Sequence, residues 1–380
     1  MKIYQWIYCI LFFVMMFSCI SPIDNFEQIT VKQFLTIDAA LTDQASTQKV
    51  QLTYSVGNFN GNSRFAPITK AKVFITDELN TKEDFIEQAG KEGEGNYLSS
   101  PKFKGRVGGT YILNIETQDG KKYQSLPETM KAVPEIENLI TRFEINDIYQ
   151  QNDPRRAGFN VYVDFQDSPT KGDNYQWKWK HYEKDTICKT CFGGSYDFRL
   201  NKCLDATAGV FPAPLNYLCD GNCWGISLSN DINILSDIYL NGQRITGRQV
   251  VRIPFSDYTP YYLQLEQRAI NLNSYNYHQS LAVQTQSNGT LFDVPAETRF
   301  SYNIKSVSNP EEKILGIFNV YSVRKKIFYI NRREGVPKDE LPVYPILSGE
   351  IVRCLPPNPC PVPCVESTNR TKIKPEGWKE

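Results

Sequence analysis

Histidine is almost absent from this 380-residue chain, which carries two, His181 and His278. Few positions can therefore supply a general base, and neither histidine stands in a pattern that would make it one. His181 alternates with Trp177 and Trp179 along an extended run, and His278 lies at helical spacing from Tyr275 and Leu281. Packing is the expected role of both. The chain also lacks a Gly-x-Ser-x-Gly elbow, a His-Glu-x-x-His pair and a phosphate loop. Lys104-Gly105-Arg106-Val107-Gly108-Gly109 has the glycines but runs into a strand pattern, so no helix N-terminus is on hand to hold phosphate. Carboxylate pairs such as Asp164 and Asp167 are expected on solvated faces. Net charge is missing too: 42 Lys and Arg balance 42 Asp and Glu. That balance argues against the basic surface that nucleic acid or an anionic lipid surface demands. No catalytic residue, metal or cofactor is expected.

After the first 19 residues the chain has no comparable apolar run, and that opening run carries the clearest signal. Met1-Lys2 leads into Ile7, Ile10, Leu11, Phe12, Phe13, Val14, Met15, Met16 and Phe17, and Ser18-Cys19 closes the stretch. Three arrangements compete for it. A membrane-spanning helix needs roughly 20 apolar residues, and this run is short, with Gln5 and two tyrosines near its start. A cleaved secretory peptide would show an Ala-x-Ala-like site, and none is visible. A lipoprotein signal uses Ser18-Cys19 directly, although Met16 stands where leucine is commonest. It is the favoured reading, with Cys19 as the lipidated residue and Cys9 discarded with the peptide. Acyl chains partition at about 0.8 kcal/mol per buried methylene, so a multiply acylated Cys19 anchors durably. Asp24 and Glu27 follow closely. Their placement resembles the acidic export signals that send lipoproteins of Bacteroidota to the outer face of the outer membrane. A solvated linker is the alternative.

Eight cysteines follow: Cys188, Cys191, Cys203, Cys219, Cys223, Cys354, Cys360 and Cys364. An even count in an oxidising compartment reads first as disulfides, with about a hundred pairings open. Zinc is the rival, since Cys188-x-x-Cys191 and Cys219-x-x-x-Cys223 have passable ligand spacing. Thiolates keep metals best in reducing surroundings, so disulfides are preferred. The βαβ context of a redox Cys-x-x-Cys is absent.

Plentiful aromatics and short runs of Thr, Val, Ile and Tyr point to strands. After a tether at 20–30, residues 31–134 read as an immunoglobulin-like β-sandwich. Val50, Leu52 and Tyr54 alternate, Lys72–Ile75 is extended, and Tyr111, Leu113 and Ile115 face inward. Thr81–Ile86 reads as a capped helical turn stopped by Gly90. Asp119-Gly120 predicts a tight hairpin with both residues at positive φ. A second, larger sandwich-like domain spans 135–352. Val161, Val163 and Phe165 share one face there. A loop-rich, cysteine-bearing insertion occupies 185–225, and a helix is expected from Asn273 to Val283 with Ser274 as its cap. Further strands are expected at 249–253, 261–267, 315–323 and 327–330. The tail, 353–380, is rich in proline and cysteine and is expected to be pinned to the second domain by a disulfide.

Two triplets, Asn288-Gly289-Thr290 and Asn369-Arg370-Thr371, match the N-glycosylation pattern. Asp185-Thr186-Ile187 resembles the O-glycosylation motif of exported Bacteroidota proteins, which makes Thr186 a candidate. Trp177 and Trp179 are candidate ligand-facing aromatics.

Several segments in order carry a family resemblance: Ala71-Lys72-Val73-Phe74-Ile75, Gly95-Asn96-Tyr97, Phe103-Lys104-Gly105, Gly108 to Ile115, Gly120 to Ser125, Val133-Pro134, Asn174 to Trp177, Leu315-Gly316-Ile317-Phe318 and Lys374 to Trp378. Together they resemble the lipoprotein family known as domain of unknown function 4249. The resemblance implies an outer-membrane lipoprotein, often encoded beside a TonB-dependent receptor, and carries over no catalytic residues. The expectation is a non-enzymatic surface lipoprotein that assists such a receptor in substrate capture or gating. A structural or adhesive protein that binds glycans or proteins is the alternative. A polysaccharide-acting enzyme with convergent carboxylates is a third.

Overall fold

The computed structural model describes residues 33–55, 65–90, 93–145, 157–184, 187–191, 194–197, 202–205, 223–238, 240–255, 260–286, 300–334, 350–354, 364 and 366–379; the strands at 187–205 and 350–354 are described by backbone alone. The fold is all-β with one helix among the described residues.

Ten strands come from the first part of the chain: β1 (Leu35–Thr42), β2 (Lys49–Ser55), β3 (Phe65–Pro67), β4 (Lys72–Asp77), β5 (Lys82–Glu87), β6 (Asn96–Leu98), β7 (Thr110–Glu116), β8 (Lys122–Ser125), β9 (Glu128–Thr129) and β10 (Asn138–Glu144). Alternation sets their faces. Leu35, Ile37, Ala39 and Leu41 of β1 point inward, as do Tyr111, Leu113 and Ile115 of β7. They meet Val50, Leu52, Val73, Ile75 and Phe85 in one core.

The segment expected to be a helical turn is instead β5, antiparallel to β4. Asp77 to Thr81 forms the connection: Asn80 takes φ 59° and donates its N–H to the Asp77 carbonyl at 3.0 Å, while Asp77 N–H reaches the Thr81 carbonyl at 3.1 Å. This is a three-residue hairpin loop, which leaves Phe85 buried and Lys82, Asp84 and Ile86 exposed. Asp119-Gly120 makes the same kind of loop between β7 and β8. Gly120 alone of the two has positive φ (79°), and Thr117 N–H bonds the Lys121 carbonyl at 2.9 Å. The hairpin is present, with one loop residue more than the expected two-residue turn.

The remaining strands are β11 (Gly158–Gln166), β12 (Asn174–Lys184), β13 (Ile187–Cys191), β14 (Gly194–Asp197), β15 (Lys202–Asp205), β16 (Trp224–Leu228), β17 (Asn233–Ser236), β18 (Arg244–Pro254), β19 (Tyr261–Ile270), β20 (Ile304–Ser306), β21 (Ile314–Ile330), β22 (Glu350–Cys354) and β23 (Arg370–Thr371). A three-stranded sheet, β10-β11-β18, covers β12 and β19 across a second core. That core contains Phe159, Val161, Val163, Phe165, Tyr175, Trp177, Val251, Ile253, Leu263 and Leu265.

The first unit does not close at residue 134. β20 pairs with β8, and the first half of β21 runs parallel to β1, from Leu35↔Ile314 to Thr42↔Tyr321. The second half of β21 pairs with β19 in the second unit. The two strands expected at 315–323 and 327–330 are thus one strand that serves both cores, Phe318 and Val320 in the first and Ile330 in the second.

The helix α1 (Leu272–Gln286) stands where expected, but Asn271 precedes it and accepts its first backbone bond, from Tyr275 N–H at 2.9 Å. Ser274, expected as the cap, is buried inside the helix and donates to Asn319 Oδ1 at 2.6 Å.

Candidate functional site

Three strand ends of the second unit converge on one point. Asp167 follows β11, Asp173 precedes β12 and Asp237 follows β17. Strand pairing brings them together, because β12 is antiparallel to β17 with Asn174 opposite Ser236. A further bond runs from Asp237 N–H to the Asp173 carbonyl at 3.1 Å. One carboxylate oxygen from each residue lies within 4.8 Å of the others. Exposure is 2 % for Asp167, 3 % for Asp173 and 0 % for Asp237. Among the described residues no other set of three acids, histidines or cysteines lies close enough to share an ion.

Asp167 Oδ1 accepts a short bond from the Tyr175 hydroxyl, and Oδ2 accepts the Gly242 N–H at 2.8 Å. Burial, then this bond to Asp167, push the Tyr175 phenol far above its ordinary range. Asp173 Oδ1 meets Lys131 Nζ at 3.2 Å, and the same ammonium donates to the Gly172 carbonyl. Asp237 is different. The Asp173 main chain lies nearby, but neither carboxylate oxygen has a hydrogen bond of acceptable geometry. Burial, then the charges of Asp167 and Asp173, raise its pKa, against opposing pulls from the Asp173 main chain and Lys131.

The carboxylates expected on solvated faces are therefore buried. Asp164, 8 % exposed, is satisfied separately by Gly247 N–H at 2.7 Å and Asn138 Nδ2 at 3.1 Å. Those bonds hold its carboxyl below the usual range.

Trp177 does not face a ligand. It is 1 % exposed, and its indole N–H donates to Gln267 Oε1 at 2.9 Å. Trp179 is half-buried against the same core. Both fall on the inward face of β12, and the second sheet covers that face. His181 stacks on Tyr261 at 3.7 Å and donates from Nδ1 to the Tyr262 carbonyl at 2.7 Å. His278 donates to the Ser274 carbonyl at 2.7 Å, and burial pushes its pKa down. Both rings are held in packing roles.

Of the disulfide candidates, Cys223 and Cys364 are bonded to each other. They fix the tail to the second unit, where β23 pairs with β16 and Trp378 packs edge-on against Trp224 and Tyr329. β13 and β22 are parallel, with Cys191 opposite Cys354 in backbone register. The side chains of Cys188, Cys191, Cys203 and Cys354 lie outside the described residues, as do Cys19, Thr186, Cys219 and Cys360.

Sequence reasoning did not find Asp173 and Asp237. The turn Asp167-Ser168-Pro169-Thr170-Lys171-Gly172-Asp173 has an acid at each end, which is a visible signal. Asp237 comes to the site through β17, and nothing local marks it.

No curated protein matches this chain. A family model described as "Domain of unknown function (DUF4249)" matches residues 21–327, most of its length, and the chain belongs to that family.

Proposed function

We propose that the chain is a non-enzymatic lipoprotein of the outer membrane, held at the cell surface by acyl chains on Cys19, and that it serves a TonB-dependent receptor in substrate capture or gating. The observation that carries this reading is the Ser18-Cys19 close of the opening apolar run. The geometry is compatible with close attachment. β1 starts at Leu35, so a fully extended tether from Cys19 reaches at most about 55 Å. Held within that distance, the two β units would lie beside the outward loops of a barrel.

Binding fits the described residues better than turnover. A glycosidase needs two carboxyl groups that reach the scissile bond, and Asp167, Asp173 and Asp237 are all but inaccessible. Each histidine is held through Nδ1 by a main-chain carbonyl, and His181 also stacks on Tyr261.

The test has two readouts. Mass spectrometry of the mature protein should find its N-terminus at an acylated Cys19. Affinity capture from solubilised outer membrane should recover a β-barrel receptor in stoichiometric amount. An unmodified Cys19 removes the anchor, and acylated protein that captures no barrel removes the partner.

A further inference from the structure

We propose that Asp167, Asp173 and Asp237 bind a divalent cation of the calcium class, pinning the β11–β12 turn and the β17–β18 turn together.

Three carboxylates within 4.8 Å and almost fully buried repel one another unless something neutralises them. Lys131 supplies one positive charge, at Asp173. Three negative charges and one positive leave a deficit of two, the charge of a divalent ion. Asp237 is the independent sign of a missing partner. Its side chain is wholly buried, it belongs to the cluster by geometry, and neither oxygen has a hydrogen bond of acceptable geometry. Buried polar groups are nearly always paired, so an orphaned carboxylate calls for an ion or a proton.

The donor set selects among ions. All three ligand groups are carboxylates, which suits calcium, magnesium or manganese rather than zinc or copper. Magnesium sheds water reluctantly and is seldom held by a cage of protein carboxylates, whereas calcium accepts six to eight oxygens in flexible geometry. Ligand capacity remains on Asp167 and Asp173 as well, since a carboxylate oxygen has two acceptor sites. Lys131 comes from the segment that leads from the first unit to the second, and its carbonyl accepts the Ser322 hydroxyl at 2.6 Å. The ion would thus lie where both turns meet the inter-unit segment.

The rival is a shared proton, with Asp237 protonated and no metal bound. The full chain, stripped with chelator, separates the two by calcium titration calorimetry, thermal melting and terbium luminescence excited through tyrosine. Tyr175 bonds Asp167 directly, so it sits close enough to sensitise terbium. One equivalent of calcium is expected, with a Kd on the order of 10⁻⁴ M or tighter, a higher Tm and sensitised emission. Asp237→Asn should weaken calcium at least tenfold. Lys131→Gln, which removes the competing ammonium, should tighten it severalfold. If Asp237→Asn does not fold, the wild-type stoichiometry and the Lys131→Gln affinity decide. Absence of calcium heat, Tm shift and terbium emission in the wild type overturns the proposal in favour of the shared proton. Calcium binding that survives Asp237→Asn, or that Lys131→Gln leaves unchanged, also overturns it.

Discussion

Gly316 lies against the main chain of Ile37 so closely that a β-carbon built on it would stand 1.9 Å from the Ile37 carbonyl oxygen. Gly316 also takes φ +94°, a conformation closed to other residues without strain. The two residues are register partners in the parallel pair of β1 and β21, the contact through which the C-terminal strand completes the first core. A methyl group there has no flexible neighbour to push aside.

Gly316→Ala should therefore destabilise the protein by at least about 2 kcal/mol, the sum of backbone strain and forced separation of the strands. Urea unfolding measures it. A wild-type midpoint would mean that β1 and β21 do not approach as described.

Cys223 and Cys364 are 141 residues apart, so their bond restricts a long loop of the unfolded chain. Cys364→Ser should cost about 2–5 kcal/mol. It should also loosen the tail, whose remaining ties include Tyr262 hydroxyl to the Glu376 carbonyl at 2.8 Å and the Trp378 contacts. Limited proteolysis should then remove the C-terminus ahead of the body of the protein. Simultaneous loss of tail and body would contradict the view that the disulfide holds the tail to an otherwise independent unit.

Trp177 is a core residue whose indole N–H bonds Gln267 and whose ring lies under the Arg248 guanidinium. Trp177→Ala should cost about 3–5 kcal/mol. Trp177→Phe keeps much of the packing but leaves Gln267 Oε1 buried and unpaired, a loss of about 1–3 kcal/mol. Chemical denaturation of both variants checks the order. A Trp177→Phe protein of full stability with impaired ligand capture would return Trp177 to the surface role its sequence position suggested.

How far the sequence could be read follows from the range of the forces involved. Alternation in β2, β4, β7, β11 and β12 is local, and those strands were legible. β5 was not, because Thr81 three residues before Asp84 imitates a helix cap, while the αL turn at Asn80 depends on one backbone conformation. The parallel pairing of β1 with β21 joins residues nearly three hundred positions apart and leaves no mark in either strand beyond Gly316. The aspartate cluster is similar. Alternation placed Trp177 on an inward or outward face equally well, and only the sheet β10-β11-β18 decides that this face is core. Likewise, Asp167 looks like one acid among 42 until β17 brings Asp237 beside it.

Asp237 and Asp164 should give stability opposite dependences on pH. The Asp237 carboxyl titrates above its unfolded value because burial, then Asp167 and Asp173, disfavour the charged form. Its contribution is therefore fully present below about pH 3.9, the unfolded value. It is lost as pH rises through the raised folded value. Asp164 titrates below its unfolded value because Gly247 N–H and Asn138 favour its charged form. Its contribution is present above about pH 3.9 and is lost as pH falls through the lowered folded value. In chelator, thermal melting between about pH 4 and 7 should show the wild type losing stability relative to Asp237→Asn as pH rises. Calcium should abolish that loss, because a bound ion favours the same charged carboxylate that burial penalises. Below about pH 4, Asp164→Asn should flatten the acid limb and leave the upper limb unchanged. Parallel melting profiles for wild type and Asp237→Asn in chelator would mean that the Asp237 carboxylate is already compensated within the protein.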